Sequence, residues 1–227
     1  NNRAPGPDAI PMEIYKLLDD EQLTMLARFF TTVLYTADPP EAWAQATVVE
    51  IFKGKGSHTD PEMYRPISLL NTSYKLFARL LQIRISDAMD AKLRDTQFGF
   101  RQGRSCIQPL YILHRLQEYA MDKKGPFYML FLDWEKAFDK ISHPSLHSAL
   151  VSFGLDPMYI KMIDALNEKP CFTVAAGGKS SKEHRASTGI RQGCPLSPYL
   201  FLIVTNLLPT TFLLPTTYLL PTYHLPT

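Results

Sequence analysis

The sequence predicts an α+β fold in which helices flank a small antiparallel sheet. Three observations carry this expectation. A short β-branched run stands at 46–52 (ATVVEIF) and a second short strand reads at 64–70 (YRPISLL), with a Gly-rich basic loop after the first. Apolar residues recur at helical spacing over 73–89 and 105–119. A continuous apolar run at 127–132 (FYMLFL) has the pattern of a strand buried on both faces, and it ends on Asp133.

Taken in order, Asp8 reads as a helix cap before Ile10-Pro11-Met12-Glu13, and apolar positions at Leu17, Leu18, Leu23, Leu26 and Phe30 predict one or two opening helices. The strand over 46–52 runs into Lys53-Gly54-Lys55-Gly56-Ser57, a basic flexible loop. Such a loop suits a phosphate contact or is a plain hairpin connection, and both readings stand. The strand over 64–70 is followed by the helix over 73–89, which carries Lys75, Arg79 and Arg84 on its polar side. Helices are expected at 145–153 and 157–167. A strand pair is expected at 172–176 and 182–187, joined by Gly177-Gly178, whose freedom at positive φ suits a tight hairpin.

From Leu207 the character changes into LLPTTF, LLPTTY, LLPTYH, LPT, a near-perfect six-residue repeat without charge. This is low complexity. The apolar stretch after Pro198 is interrupted by proline too often for a membrane-spanning helix. Asn1 opens the chain without a basic-then-apolar leader, so the sequence reads as an excerpt with no secretory signal.

The net charge of +2 averages over unlike segments. Residues 1–43 hold 3 basic against 7 acidic side chains, residues 44–124 hold 13 against 8, and residues 125–227 hold 8 against 7. The middle segment is therefore the one suited to a polyanion, because each Lys or Arg that meets a phosphate releases counterions. A solvated helix face is the other reading of the same charge. Cys106, Cys171 and Cys194 are an odd number without a CxxC pair or zinc-like spacing, which indicates neither a disulfide framework nor a metal knuckle and fits a reducing, intracellular compartment.

Two motifs carry chemistry. In FLDWEKAFDKI, residues 131–141, Asp133 and Asp139 bracket a turn with Phe138 between them. Nucleotidyl transfer by two metal ions needs carboxylates fixed near the reacting oxygens, and Asp133 is placed for that. A helix cap or ion pair is the structural alternative. In GIRQGCPLSPYLF, residues 189–201, Gln192-Gly193 leads through Pro195 and Pro198 into an apolar helix. The glycine allows close backbone approach, and the Gln can both donate and accept hydrogen bonds to a sugar or base. A turn that starts a core helix explains the same residues.

The combination in this order, with Gly6-Pro7-Asp8, YRPISLLN at 64–71 and QFGFRQGRSC at 97–106, resembles the successive blocks of LINE-type (non-LTR) retrotransposon reverse transcriptases over residues 5–204. The resemblance implies a right-hand polymerase fold. Residues 1–43 are then an N-terminal helical extension, 44–124 a fingers-like basic segment, 125–206 an incomplete palm and 207–227 a repeat tail. It implies RNA-directed DNA polymerase chemistry on an RNA template and DNA primer with deoxynucleoside triphosphates, served by Mg²⁺ or Mn²⁺ in a two-ion site, in the nucleus or cytoplasm.

Residue by residue, the resemblance makes Asp133 the catalytic carboxylate and ligand of both ions. It sets Phe138, with Ala137 beside it, under the incoming sugar, where a bulky ring excludes a 2′-OH. Gln192 and Gly193 contact the nucleotide near its 3′-OH, and Arg65 holds the triphosphate, a role that suits a bidentate guanidinium. Lys53, Lys55, Lys75, Arg101 and Arg104 are nucleic-acid candidates, with surface ion pairs an equal reading for Arg101 and Arg104. Asp139 is expected to orient its loop and to bind no metal.

The family pattern continues with an Ala-Asp-Asp hairpin, and here no acidic residue follows Glu183. With one carboxylate in place of three the two-ion site is incomplete, so the 227 residues are expected to lack polymerase activity, to lose two strands of the palm sheet and to fold poorly. The alternative function is a nucleic-acid-binding remnant without chemistry. An RNA-copying viral polymerase is disfavoured by Phe138 and Gln192-Gly193.

Overall fold

The computed structural model describes residues 4–207. Nearly all of the repeat tail lies outside the described residues. Two helices open the chain, α1 (Met12–Lys16) and α2 (Asp20–Thr36). A reciprocal cap fixes the start of α2: the Asp19 carboxylate accepts from the Gln22 N–H at 2.8 Å, and the Gln22 side chain accepts from the Asp19 N–H at 3.1 Å.

Asp8 is not a helix cap. Its carboxylate accepts from the Ile10 N–H within a local turn, and Pro11 occupies the N-cap of α1. The segment before α1 is instead strapped to the chain near Asn71. The Asp8 N–H donates to Asn71 Oδ1, the Thr72 hydroxyl donates to the Ile10 carbonyl, and a Cβ on Gly6 would stand 2.4 Å from the Asn71 nitrogen.

The sheet has the order β2-β1-β3-β4, built from β1 (Gln45–Phe52), β2 (Tyr64–Leu70), β3 (Cys171–Ala176) and β4 (Lys179–Ser180), with β5 (His184–Arg185) also on β3. It is mixed, which corrects the expected antiparallel sheet: β1 pairs antiparallel with β2 and parallel with β3. Residues 53–170 separate β1 from β3, and a crossover of that length with helices in it returns the chain in the same direction. The turn at Gly177-Gly178 has φ of 57° and 75°, as a tight hairpin turn needs. The expected partner strand is split, because pairing shifts from Ala175↔Ser180 to Phe172↔His184, one extra residue in the outer strand.

Five further helices follow: α3 (Thr72–Met89), α4 (Ile107–Asp122), α5 (His143–Phe153), α6 (Pro157–Asn167) and α7 (Ser197–Leu207). The core is built where α3 meets the C-terminal helices. Phe77, Leu81 and Ile85 repeat every four residues on α3 and are fully buried, as are Leu150, Ile163 and Ile203 from α5, α6 and α7. Trp43 closes one end, its ring tilted at 36° to that of Phe77 with centroids 5.1 Å apart, and it donates its indole N–H to the Ser73 hydroxyl.

The run at 127–132 is not a buried strand. It is irregular backbone, with Tyr128 74% and Phe131 67% exposed. An apolar run becomes an interior strand only when neighbours take its N–H and C=O groups, and no strand among the described residues pairs with it. Helix α4 likewise buries no side chain.

Candidate functional site

Two pieces of chain distant in sequence meet at one cavity, with the edge strand β2 behind them, and backbone hydrogen bonds lock the three together. The turn over 135–140 follows the irregular segment that bears Asp133. Its Phe138 carbonyl accepts from the Ile190 N–H at 2.9 Å, and the Ile141 carbonyl accepts from the Gly189 N–H at 2.7 Å. Gly189 has φ 89°, and a Cβ there would stand 3.1 Å from the Asp139 Cα, so this approach requires glycine.

The loop that carries Gln192-Gly193 also lies along β2, the edge strand of the sheet. The Ser68 N–H donates to the Gln192 carbonyl at 2.8 Å, which gives an otherwise open strand edge a partner. Arg191 anchors this loop from beneath. Its guanidinium donates to the Trp43 carbonyl at 2.7 Å and to the Leu166 carbonyl at 3.3 Å, and lies 5.3 Å from the Tyr74 ring centroid. Burial pushes the Tyr74 hydroxyl well above its usual ionisation range, with the adjacent Cys194 thiol acting in the same direction.

The resulting cavity has a volume of about 260 Å³ and is lined by Phe100, Ala137, Phe138, Arg191, Gln192, Gly193, Cys194, Ser197 and Pro198. Phe138 forms a half-buried wall, stacked on Phe201 of α7 with centroids 5.1 Å apart. Gln192 also lines the cavity, and its amide nitrogen donates to Asp139 Oδ1 at 3.1 Å. An aromatic face, a primary amide and a glycine loop suit a small ligand with a flat or sugar-like part.

The structure thus brings together Ala137, Phe138, Gln192 and Gly193, although more than fifty positions part the two pairs in sequence. It does not bring Asp133 or Arg65 to the lining. Asp133 lies on exposed irregular backbone. Arg65 is exposed on β2, three residues before Ser68 and on the opposite face from the buried Leu70. Among the described residues no group of three His, Cys, Asp or Glu side chains could hold a metal ion.

Of the basic candidates, Lys53 and Lys55 are exposed on the loop after β1, where the Lys53 ammonium donates to the Glu62 carbonyl. Lys75 is half-buried on α3. Arg104 is partly exposed, 3.8 Å from Asp95 and 5.8 Å from the Phe98 ring centroid. Arg101 takes the ion-pair role. Its five N–H donors go to Asp90 Oδ1, Asp90 Oδ2 and the carbonyls of Asp90, Arg94 and Gln97, leaving none for a phosphate. The side chain is 5% exposed, which removes it from the nucleic-acid set.

Sequence reasoning missed Phe100 and Arg191 in the lining and Ser68 beneath the loop. Arg191 carried no pattern of its own, and Ser68 acts through its backbone.

The fold and the cavity define an α+β domain with a preformed pocket at the junction of a sheet edge and a helix start. The family described as reverse transcriptase (RNA-dependent DNA polymerase) matches residues 53–217, and the chain belongs to that family. It is 32% identical over 91% of its length to the probable RNA-directed DNA polymerase from transposon BS of Drosophila melanogaster, of which it spans 23%. It is 31% identical over 92% of its length to the RNA-directed DNA polymerase from mobile element jockey of the same species, again spanning 23% of the relative. A retrovirus-related Pol polyprotein from the type-2 retrotransposable element R2DM is 26% identical over 92% of the chain, which spans 19% of that protein. The chain therefore represents less than a quarter of these relatives.

Proposed function

We propose that this chain is part of the RNA-directed DNA polymerase of a LINE-type retrotransposon and that its cavity receives the sugar and base of an incoming deoxynucleoside triphosphate. The observation that carries this reading is the convergence of Ala137, Phe138, Gln192 and Gly193 on one cavity. Phe138 is held by Phe201 where a ring limits the space beside a sugar, so it excludes a 2′-OH. Gln192 faces the ligand, and Gly193 keeps the loop close to β2.

In this reading residues 44–124 form the fingers and 125–206 an incomplete palm. The exposed Lys53 and Lys55, with Lys75 and Arg104, contact the backbone of an RNA template and DNA primer. Arg65 reaches the triphosphate when nucleic acid is present. Divalent metal ions would supply charge stabilisation to nucleotidyl transfer, with Asp133 as the carboxylate of this chain that would help to hold them.

The 227 residues on that account bind nucleotide and nucleic acid without templated synthesis, since Asp133 is the one carboxylate among them assigned to the reacting centre. The test is primer extension on an RNA template with Mg²⁺ or Mn²⁺, run beside equilibrium binding of a fluorescent deoxynucleoside triphosphate. Binding without extension is the expected result. Extension by the 227-residue chain overturns the inactive assignment, and failure to bind nucleotide overturns the assignment of the cavity.

A further inference from the structure

Gln192 lines the cavity, and its side-chain amide makes one hydrogen bond to the protein. This bond to Asp139, Nε2 to Oδ1 at 3.1 Å, decides which end of the amide turns to Asp139. A carboxylate accepts hydrogen bonds and donates none, so the NH₂ end points to Asp139 with one of its two N–H groups, and the carbonyl Oε1 at the other end is the amide's acceptor for a ligand. Both backbones are fixed independently of this contact. Gln192 is tied to Ser68 through its carbonyl, and the Asp139 N–H donates to the Lys136 carbonyl at 3.0 Å while Gly189 packs against its Cα. The neighbouring cations are engaged elsewhere, Lys140 with Glu135 at 2.7 Å and Lys136 with Glu62 at 3.7 Å.

We infer that Asp139 is a positioning residue that sets the hydrogen-bond polarity of the cavity. It turns the Oε1 end of Gln192 away from Asp139 as an acceptor, which a donor on the ligand matches. On the nucleotide reading, on which this inference rests, that donor is the 3′-hydroxyl of the incoming deoxyribose. An aspartate outside the cavity lining thus selects for a free 3′-OH through the amide it orients. Replacing Asp139 by asparagine removes the constraint, because the new amide can donate to Gln192 Oε1 and turn the NH₂ end toward the ligand.

The experiment measures equilibrium binding of Mg·dGTP and Mg·2′,3′-dideoxy-GTP to the 227-residue chain and to Asp139→Asn, Asp139→Ser and the double variant Asp139→Asn with Gln192→Glu. The wild-type chain is expected to prefer dGTP by about fivefold, the weight of one hydrogen bond. Both single variants are expected to bring that ratio close to one while dideoxy-GTP binds as before. The double variant should restore it, since the carboxylate introduced by Gln192→Glu accepts from the amide introduced by Asp139→Asn and still faces the cavity as an acceptor. A merely structural role for Asp139 would change both affinities together and would not be rescued by that pair. Binding with an unchanged ratio in both single variants overturns the inference and leaves the cavity assignment standing. No binding of either nucleotide by the wild-type chain overturns the cavity assignment, and this inference with it.

Discussion

Gly193 lies against Ser68 so closely that a Cβ on the glycine would stand 2.5 Å from the Ser68 carbonyl oxygen. With φ of 118° the residue also occupies backbone space that side chains disfavour. This contact, with the hydrogen bond from the Ser68 N–H to the Gln192 carbonyl, fixes the cavity loop to the edge of β2.

Gly193→Ala is therefore expected to lower stability by about 2 kcal/mol, combining overlap with the Ser68 carbonyl and backbone strain. The loop must leave the sheet edge to relieve it, so nucleotide binding should weaken more than tenfold. Urea denaturation and nucleotide titration of the same sample check both outcomes.

Phe138→Ala should separate two roles. The ring is half-buried on Phe201, so its loss costs about 2 kcal/mol, less than for a fully buried phenylalanine. It also opens the space beside the sugar. The ratio of ATP to dATP affinity should rise several-fold toward one, and an unchanged ratio would remove Phe138 from sugar selection.

Arg101→Gln should destabilise the chain by about 1–2 kcal/mol, since Asp90 and the carbonyls of Arg94 and Gln97 lose their donor, although water reaches Asp90 and Arg94 and replaces part of it. Because Arg101 has no N–H left for a phosphate, the salt dependence of RNA binding should not change. Lys55→Ala should do the opposite, leaving stability intact and lowering the slope of log affinity against log salt by about 0.7–0.9. Thermal melts and binding at several salt concentrations distinguish the two.

Alkaline pH should weaken the fold through its buried tyrosines. Burial, with Asp90 nearby, pushes Tyr199 up to about 12, and burial raises Tyr74 in the same sense. An unfolded tyrosine ionises near pH 10, so above about that pH the unfolded chain releases protons that the folded chain retains. Stability is thus fully present below about pH 10 and falls as pH rises toward 12. The Tyr199 hydroxyl has no protein hydrogen-bond partner, so Tyr199→Phe should cost no more than about 1 kcal/mol at pH 7 and make the alkaline fall shallower. Melting temperatures from about pH 7 to 11 check this.

Thiol labelling tests the packing of the C-terminal half. Cys106 is exposed, whereas Cys194 is buried against Tyr74. Burial, with a hydrogen bond to Glu183, pushes the Cys171 thiol up, which lowers its thiolate fraction. At about pH 8 Cys106 should react first and Cys194 only on unfolding, as mass spectrometry of alkylated peptides would read.

Much of this protein was legible in the sequence because local chemistry specified it. The strand over 64–70 and the helix over 157–167 match β2 and α6, since their bounds are set by adjacent prolines, caps and β-branched runs. The family was legible too, because five ordered motifs agree and single motifs do not have to carry the assignment. The side chains of the cavity, Phe138 and Gln192 above all, could be named in advance.

Tertiary structure alone decided the rest. The run at 127–132 has a strand's composition, yet strands exist by pairing, and no partner reaches it among the described residues. The direction of β3 beside β1 depended on a crossover longer than any local pattern. Arg101 and Arg104 look alike in QFGFRQGRSC, but the fold gives the first guanidinium five acceptors and leaves the second partly in water. Side-chain identity sets what a residue can do. The neighbours that compete for its hydrogen bonds set what it does.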